Sequence, residues 1–539
     1  MWPTLSESRR RANALGRDRA GFGVAMQGHE WPQWRFLGAV LLTLLLPLGA
    51  GAEQPLSVID WITERPPAAA THPILNEPPV SATIGNSAIN VTPLGAAVVA
   101  VGLVPGNVTG LPDGLWQGSD ADVLAGLIAE VPVADYPAMQ RLLYTLLLSE
   151  ALPPAGSDEA EVMLLARVDR LLELGATDPA QALIEHAGAR DNAARFARWF
   201  DATLLNGDED KACATLADAP HLAPDYAARI FCDARTGDWQ TAALMLESVH
   251  ALGVLPPADL ALLDRFLSPG IFEGAPPLPV PDGPDPLTFR LFEAIGERLP
   301  TASLPRGFAT VDLRDVAGWK AQLEAAERLT RIGALGPNRL LGLYSERRPA
   351  ASGGIWDRVR ALQHFETALK TDSAEAVAKT LPKVWHVMRA VRLEVPFAGL
   401  FGERLSTVKS DDPGTRSLIW HIALLGLDYE APARTPPDDS ARTRYLAALA
   451  QGAPGREPAP DASAEAISEG FAATPPPNLQ RLLDAGQLGE AILRAMKLMD
   501  SGARGNPGDL ADALATLRAV GMEDTARRAG LQLMLLERR

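Results

Sequence analysis

Gly237-Asp238-Trp239-Gln240-Thr241-Ala242 decides how this chain is read. The motif stands between two Ala- and Leu-rich stretches, and its residue types suit a sharp turn between helices. Gly ends the first helix in the left-handed conformation, a polar or acidic residue starts the second, and Ala permits a close helix crossing. Gly175-Ala176-Thr177-Asp178-Pro179-Ala180 and Gly207-Asp208-Glu209-Asp210-Lys211-Ala212 precede it, at intervals of 32 and 30 residues. Near the C-terminus Gly486 to Ala491 and Gly521 to Ala526 repeat the spacing. Each copy follows one helical stretch and opens another, which predicts a series of helical hairpins.

The rest of the chain agrees with a mainly α fold. Ala and Leu dominate after about residue 118 and aromatic residues make up only 6 per cent, a composition that favours helix over sheet. Ser119 is placed to cap a helix through Val131, and Leu142, Leu143, Leu146 and Leu147 have the spacing of a buried helical face. At 539 residues and 47 per cent hydrophobic content the chain has material for two or three cores. Proline is concentrated in Glu53–Pro112, Pro256–Pro286 and Ala431–Pro477, which read as linkers and boundaries.

The expected organisation is an export signal over 1–52, a Pro-rich and partly disordered segment over 53–118, and helical hairpins over 119–274. A second helical block over 275–430, a Pro/Ala-rich linker over 431–477 and C-terminal hairpins over 478–539 complete it. The clearest helices of the second block are 317–335, 336–348 and 356–370. Between Ser81 and Val104 β-branched residues rise enough for one or two short strands.

The hairpin units resemble tetratricopeptide-type repeats, whose inter-helix turn often reads Gly-Asp-Tyr/Trp-x-x-Ala, as Gly237 to Ala242 does. Ala187 and Ala219 match the small residue seven positions further on, and Pro224 matches the closing proline. The period of 30 to 32 departs from the family's 34, and the first-helix Trp and Tyr positions are poorly kept, which makes this a divergent repeat. The resemblance implies an α-solenoid that binds a protein or peptide along a helical surface. The chain also resembles a group of exported Ala-rich bacterial proteins that share stretches like Ile59-Asp60-Trp61 and Leu343 to Arg358. That group supplies no function to carry over.

Phe36 to Leu48 is an apolar run that follows Arg35 and precedes Gly49-Ala50-Gly51-Ala52. It is too short to cross a bilayer and has small residues where a signal peptidase cuts, so export with cleavage after Ala52 is expected. No stable membrane span is expected afterwards, and a start at Met26 would give the signal ordinary length, leaving 1–25 untranslated. Residues 1–52 carry six Arg against three carboxylates, so cleavage takes the net charge from −16 to −19. An acidic surface without a basic stripe repels nucleic acid, which is excluded as a partner.

Cys213 and Cys232 are the only cysteines, and in an oxidising periplasm they are expected to pair. The eight His are scattered without metal-ligand spacing, and no Gly-x-Ser-x-Gly elbow, Walker loop or dinucleotide glycine pattern occurs. No catalytic residue, metal or cofactor is therefore assigned. Two stretches could meet an unidentified envelope protein or peptide. One is the apolar patch with Ile59, Asp60 and Trp61, which could equally strap onto the chain's own helices. The other is the Glu346–Arg358 loop with Arg347, Arg348 and Trp356, whose residue types are favoured at binding hot spots. In the competing reading of the loop, Trp356 plugs the core and the arginines pair with local Glu. The function expected is a periplasmic scaffold or adaptor. The alternatives are a cell-wall-associated enzyme or its accessory subunit, and a secreted structural protein.

Overall fold

All five predicted turns are built alike. In the computed structural model, which describes residues 100–314 and 316–536, Gly175, Gly207, Gly237, Gly486 and Gly521 have φ between 76° and 94°. At each turn the next residue's N–H donates to the carbonyl five residues back, as from Ala176 to Leu171 at 2.9 Å and from Asp238 to Asp233 at 2.8 Å. This satisfies a carbonyl that the helix end would otherwise leave without a partner. The alanine five positions on from each glycine, namely Ala180, Ala212, Ala242, Ala491 or Ala526, is 0% exposed. Each methyl is thus wholly enclosed where helices meet.

The first hairpins pair Ser157–Leu174 with Thr177–Ala187, Ala193–Asn206 with Glu209–Asp218, and Tyr226–Arg235 with Trp239–Leu252. Successive helices pack in chain order, and Pro257–Leu267 continues the stack. Helix Pro286–Ala294 then packs back on Ala193–Asn206, and the 3-10 helix Arg306–Leu313 lies against both that helix and Ser157–Leu174.

The second block contains Trp319–Arg331, Pro337–Glu346 and Ile355–Lys370, as the sequence predicts, followed by Ala374–Ala390, Glu394–Ser406 and Pro413–Leu424. It has its own apolar core, in which Phe365, Phe397 and Phe401 pack with ring centroids 4.9 to 5.3 Å apart. Two of its turns place a non-glycine residue in the left-handed region, Asp372 at φ 51° and Arg392 at φ 58°. After Arg392 the Leu393 N–H reaches the Met388 carbonyl at 3.0 Å, the same closure as in the glycine turns.

Three expectations are corrected. The cap of the first long helix, Ala121–Glu130, is Asp120, whose carboxylate accepts from the Val123 N–H at 3.0 Å; Ser119 is buried beside it. Residues 100–118, assigned to a partly disordered segment, include the buried Leu111, Leu115 and Trp116. Residues 431–477, read as a linker, hold helices Ala441–Ala450 and Ala462–Ala472, with Tyr445 and Ile467 fully buried. Proline breaks helices only in their interiors. Here Pro436, Pro437, Pro458 and Pro460 lie between helices, and Pro477 opens one.

The last helices pack on the first. Leu488–Ala503 lies on Ala121–Glu130, and Glu523–Leu536 on Pro137–Leu148. The Gly489 N–H donates to the Leu115 carbonyl at 2.9 Å, and a Cβ on Gly489 would fall 2.5 Å from the Trp116 ring. The Gln532 Oε1 accepts from the Ala138 N–H at 2.8 Å. Among the described residues there is no strand, only the isolated bridges Val101–Ala151 and Val104–Ser149. No described helix is long and apolar enough to cross a membrane. The export signal, the Ile59-Asp60-Trp61 patch and most of the Ser81–Val104 stretch lie outside the described residues.

Asp372 is exposed and its side chain makes no hydrogen bond among the described residues, so its backbone conformation carries a cost that glycine would not. Asp372→Gly is expected to raise stability by roughly 0.5–1 kcal/mol, the left-handed penalty less glycine's greater unfolded-state freedom. Urea denaturation with an unchanged slope and a higher midpoint checks this; a lower midpoint rejects it.

Candidate functional site

A cavity of about 540 Å³ opens where the first helices and the hairpins meet the second block. Four helix beginnings surround it. Pro137 and Pro337 are the first residues of their helices, while Pro179 and Pro396 stand in the first turns of Thr177–Ala187 and Glu394–Ser406. Proline suits these positions because the first helical N–H groups have no partner within the helix. Gly333, at φ 81°, turns the chain between Trp319–Arg331 and Pro337–Glu346 and brings that segment to the cavity edge.

The lining is apolar except for a few groups. Leu148, Leu335, Val395 and Leu427 contribute hydrocarbon, and no Asp or Glu lines the cavity. Its charges are Arg141 and Arg331. The Arg331 Nε donates to the Val391 carbonyl at 2.8 Å and makes no other hydrogen bond among the described residues. Burial lowers the Arg331 pKa; Glu327 opposes this, and the cations Arg392, Arg358 and Arg306 reinforce it. Arg141 is exposed and its side chain has no hydrogen bond or ion pair among the described residues, with Asp524 the carboxylate that feels its charge. In the same wall the buried Thr330 hydroxyl and the Tyr144 hydroxyl have no hydrogen-bond partner among the described residues. Burial pushes the Tyr144 hydroxyl pKa up and keeps it neutral.

The sequence-predicted residues fall elsewhere. Cys213 on Glu209–Asp218 and Cys232 on Tyr226–Arg235 form a disulfide between adjacent hairpins, with Cα atoms 4.8 Å apart and both side chains buried. A disulfide is consistent with an exported protein. In the Glu346–Arg358 loop Trp356 is half-buried against Trp319, centroids 5.1 Å apart, and Arg347 pairs with Glu346 at 2.8 Å. Arg358 makes a two-pronged pair with the buried Glu327 at 2.7 and 2.8 Å. Arg348 alone among the three candidate residues there is exposed without a hydrogen bond or ion pair among the described residues. The structure thus brings none of these residues to the cavity.

Two charged sites were not visible in the sequence. Glu209, in the first turn of Glu209–Asp218, is buried and pairs with Arg290 and with Arg235 at 3.2 Å. Asp201 is pushed up to about 7, first by burial and then by the charge of Asp285, with Asp169 and Asp225 adding and Arg198 opposing. Among the described residues no group of three or more His, Cys, Asp or Glu could hold a metal ion.

Apolar exposure is concentrated as well. Tyr226, Trp239, Leu244, Leu252 and Val254 are exposed large hydrophobic residues within the third hairpin and the turn after it, and Ile271 and Val280 follow. Trp239 borders a second hollow, of about 570 Å³, with Phe231, Phe266, Arg235 and Arg290. The available signal was the place of Trp239 in the Gly237-Asp238-Trp239 turn, where it is the first residue of its helix.

Replacing Cys213 or Cys232 by Ser is expected to lower stability by about 3 kcal/mol, the loop-closure value for a sequence separation of 19. Denaturant midpoints under oxidising and reducing conditions check this, because the variant and the reduced wild type should coincide. The folded state binds a proton at Asp201 that an unfolded aspartate, with its pKa near 3.9, has released. Stability is therefore expected to fall as pH rises from about 4 to about 7 and to level off above that. Asp201→Asn should remove the decline at that site and be more stable than wild type at pH 8; an unchanged pH profile sinks the assignment.

Comparison of the chain with protein-family models, curated proteins and solved structures found no match, so the site is read from its own chemistry.

Proposed function

We propose that the chain is an exported helical-repeat scaffold, an α-solenoid of tetratricopeptide-like hairpins that acts as an adaptor for a protein or peptide partner in the bacterial cell envelope. The observation that carries the reading is the repeated hairpin: five turns share one hydrogen-bond closure and one fully enclosed alanine, in two separate parts of the chain. Repeats of this kind stack into extended surfaces suited to polypeptide partners. The Cys213–Cys232 disulfide supports an oxidising compartment. The surface best suited to a partner is the third hairpin, where Trp239 and Leu244 are exposed and Arg235 stands beside the aromatic hollow. Trp and Arg dominate binding energy where water is excluded around them. Arg347, Arg348 and the Ile59-Asp60-Trp61 patch are the secondary contacts of this reading.

Crosslinking in intact cells with a C-terminally tagged chain, followed by mass spectrometry, tests it. One stoichiometric envelope protein is expected, with recovery falling at least about tenfold for Trp239→Ala with Leu244→Glu, a hot-spot-sized loss. Recovery of wall glycan fragments, or of nothing, rejects the adaptor and favours a wall-associated role.

A further inference from the structure

We propose that the cavity at the meeting of the helical blocks binds a long-chain fatty acid, with its carboxylate on Arg331 and Arg141 and its alkyl chain along Leu148, Leu335 and Val395. This goes beyond the adaptor reading and does not depend on it. A volume of about 540 Å³ lies within the range of small-molecule sites, and the wall is mostly hydrocarbon with a few polar groups, the usual composition of such sites.

Charge selects the class of ligand. The chain has 66 carboxylates against 50 basic residues, yet none of those carboxylates lines the cavity and two arginines do. Arg331 uses only its Nε, and Arg141 uses none of its donors on the described residues. A carboxylate is the group that a guanidinium fork holds best, through two parallel hydrogen bonds. The four helix beginnings around the cavity add partial positive charge of the same sign. Thr330 supplies a buried hydroxyl with no partner among the described residues.

Competing ligand classes fit less well. A neutral apolar molecule would cover the arginine donors without pairing them, which costs free energy. A nucleotide or glycan needs many polar contacts, and this wall has few. One negative end and one long apolar body match both parts of the lining. The cavity also draws its walls from segments as far apart as Val104 and Leu427, so an occupant would touch both the hairpin block and the second block.

The test uses the full chain after delipidation, with displacement of the fluorescent fatty acid cis-parinaric acid as readout. Palmitate is expected to displace it at a single saturable site, with methyl palmitate at least about tenfold weaker because the ester loses the charge-assisted bonds. Arg331→Gln should weaken palmitate by a similar factor. Because that change could also disturb the Val391 contact, Gly399→Met is the second variant. A Cβ on Gly399 meets nothing within 4 Å, so the side chain should enter the cavity and abolish binding while the helical circular dichroism and melting temperature hold. No saturable binding, equal displacement by the ester, or unaltered binding in Gly399→Met overturns the proposal. Stronger displacement by an apolar peptide with a free C-terminal carboxylate also overturns it and gives the cavity to a polypeptide end.

Discussion

Much of this structure depends on how closely two helix backbones approach each other. Where Ala242 or Ala491 stands at the start of a second helix, the methyl is fully enclosed, and no longer side chain could be accommodated without moving a helix. The C-terminal helices take the constraint further. A Cβ on Gly502 would lie 2.6 Å from the Leu510 Cα, and one on Gly470 would lie 2.7 Å from the Ala511 carbonyl oxygen. Gly489 applies it between the ends of the chain, where its backbone bonds directly to Leu115 and leaves room only for the Trp116 ring. Small residues are thus what allows the last helices to close against the first.

Close packing leaves polar groups inside, and arginine satisfies many of them. Arg167 is buried and donates to the carbonyls of Leu147, Val101 and Ser149 at 2.7 to 2.9 Å, tying the start of the described chain to the end of Pro137–Leu148. Burial lowers its pKa to about 10, which still leaves it charged at neutral pH. Glu209 with Arg235 and Arg290, and Glu293 with Arg314 at 3.0 Å, connect the hairpins to the segment that leads into the second block. Removing one member of such a pair strands the other, so these contacts constrain geometry more than they add net stability.

The sequence was legible where the turn chemistry used the commonest residues. Gly at the left-handed position and Ala five residues later can be recognised without coordinates, and the helices they join followed. The second block uses the same closure at Arg392 but with Phe397 at the alanine position, so nothing in its residue types marked it as related. At Asp372 the position five residues on is Val377, and the same blindness applies. Between 431 and 477 proline density outweighed periodicity, although the buried Tyr445, Leu446 and Leu449 already had helical spacing. The cysteine pair was legible because a chain with two cysteines leaves a single intramolecular pairing.

The cavity was not legible, for a reason that applies to any site between blocks. Its walls come from residues near 104, 140, 178, 333, 397 and 427, and no local pattern relates them. The prolines at 137, 179, 337 and 396 lie outside the three proline-rich stretches that the sequence marks. Each stands in the first turn of a helix, and a helix beginning presents N–H groups and partial positive charge outward. When packing brings four such beginnings together and places two under-used arginines beside them, an acidic protein acquires a local positive interior. The chemical character of that cavity is therefore a product of the fold, set by which helix ends converge, and the residues that line it would be unremarkable in any other arrangement.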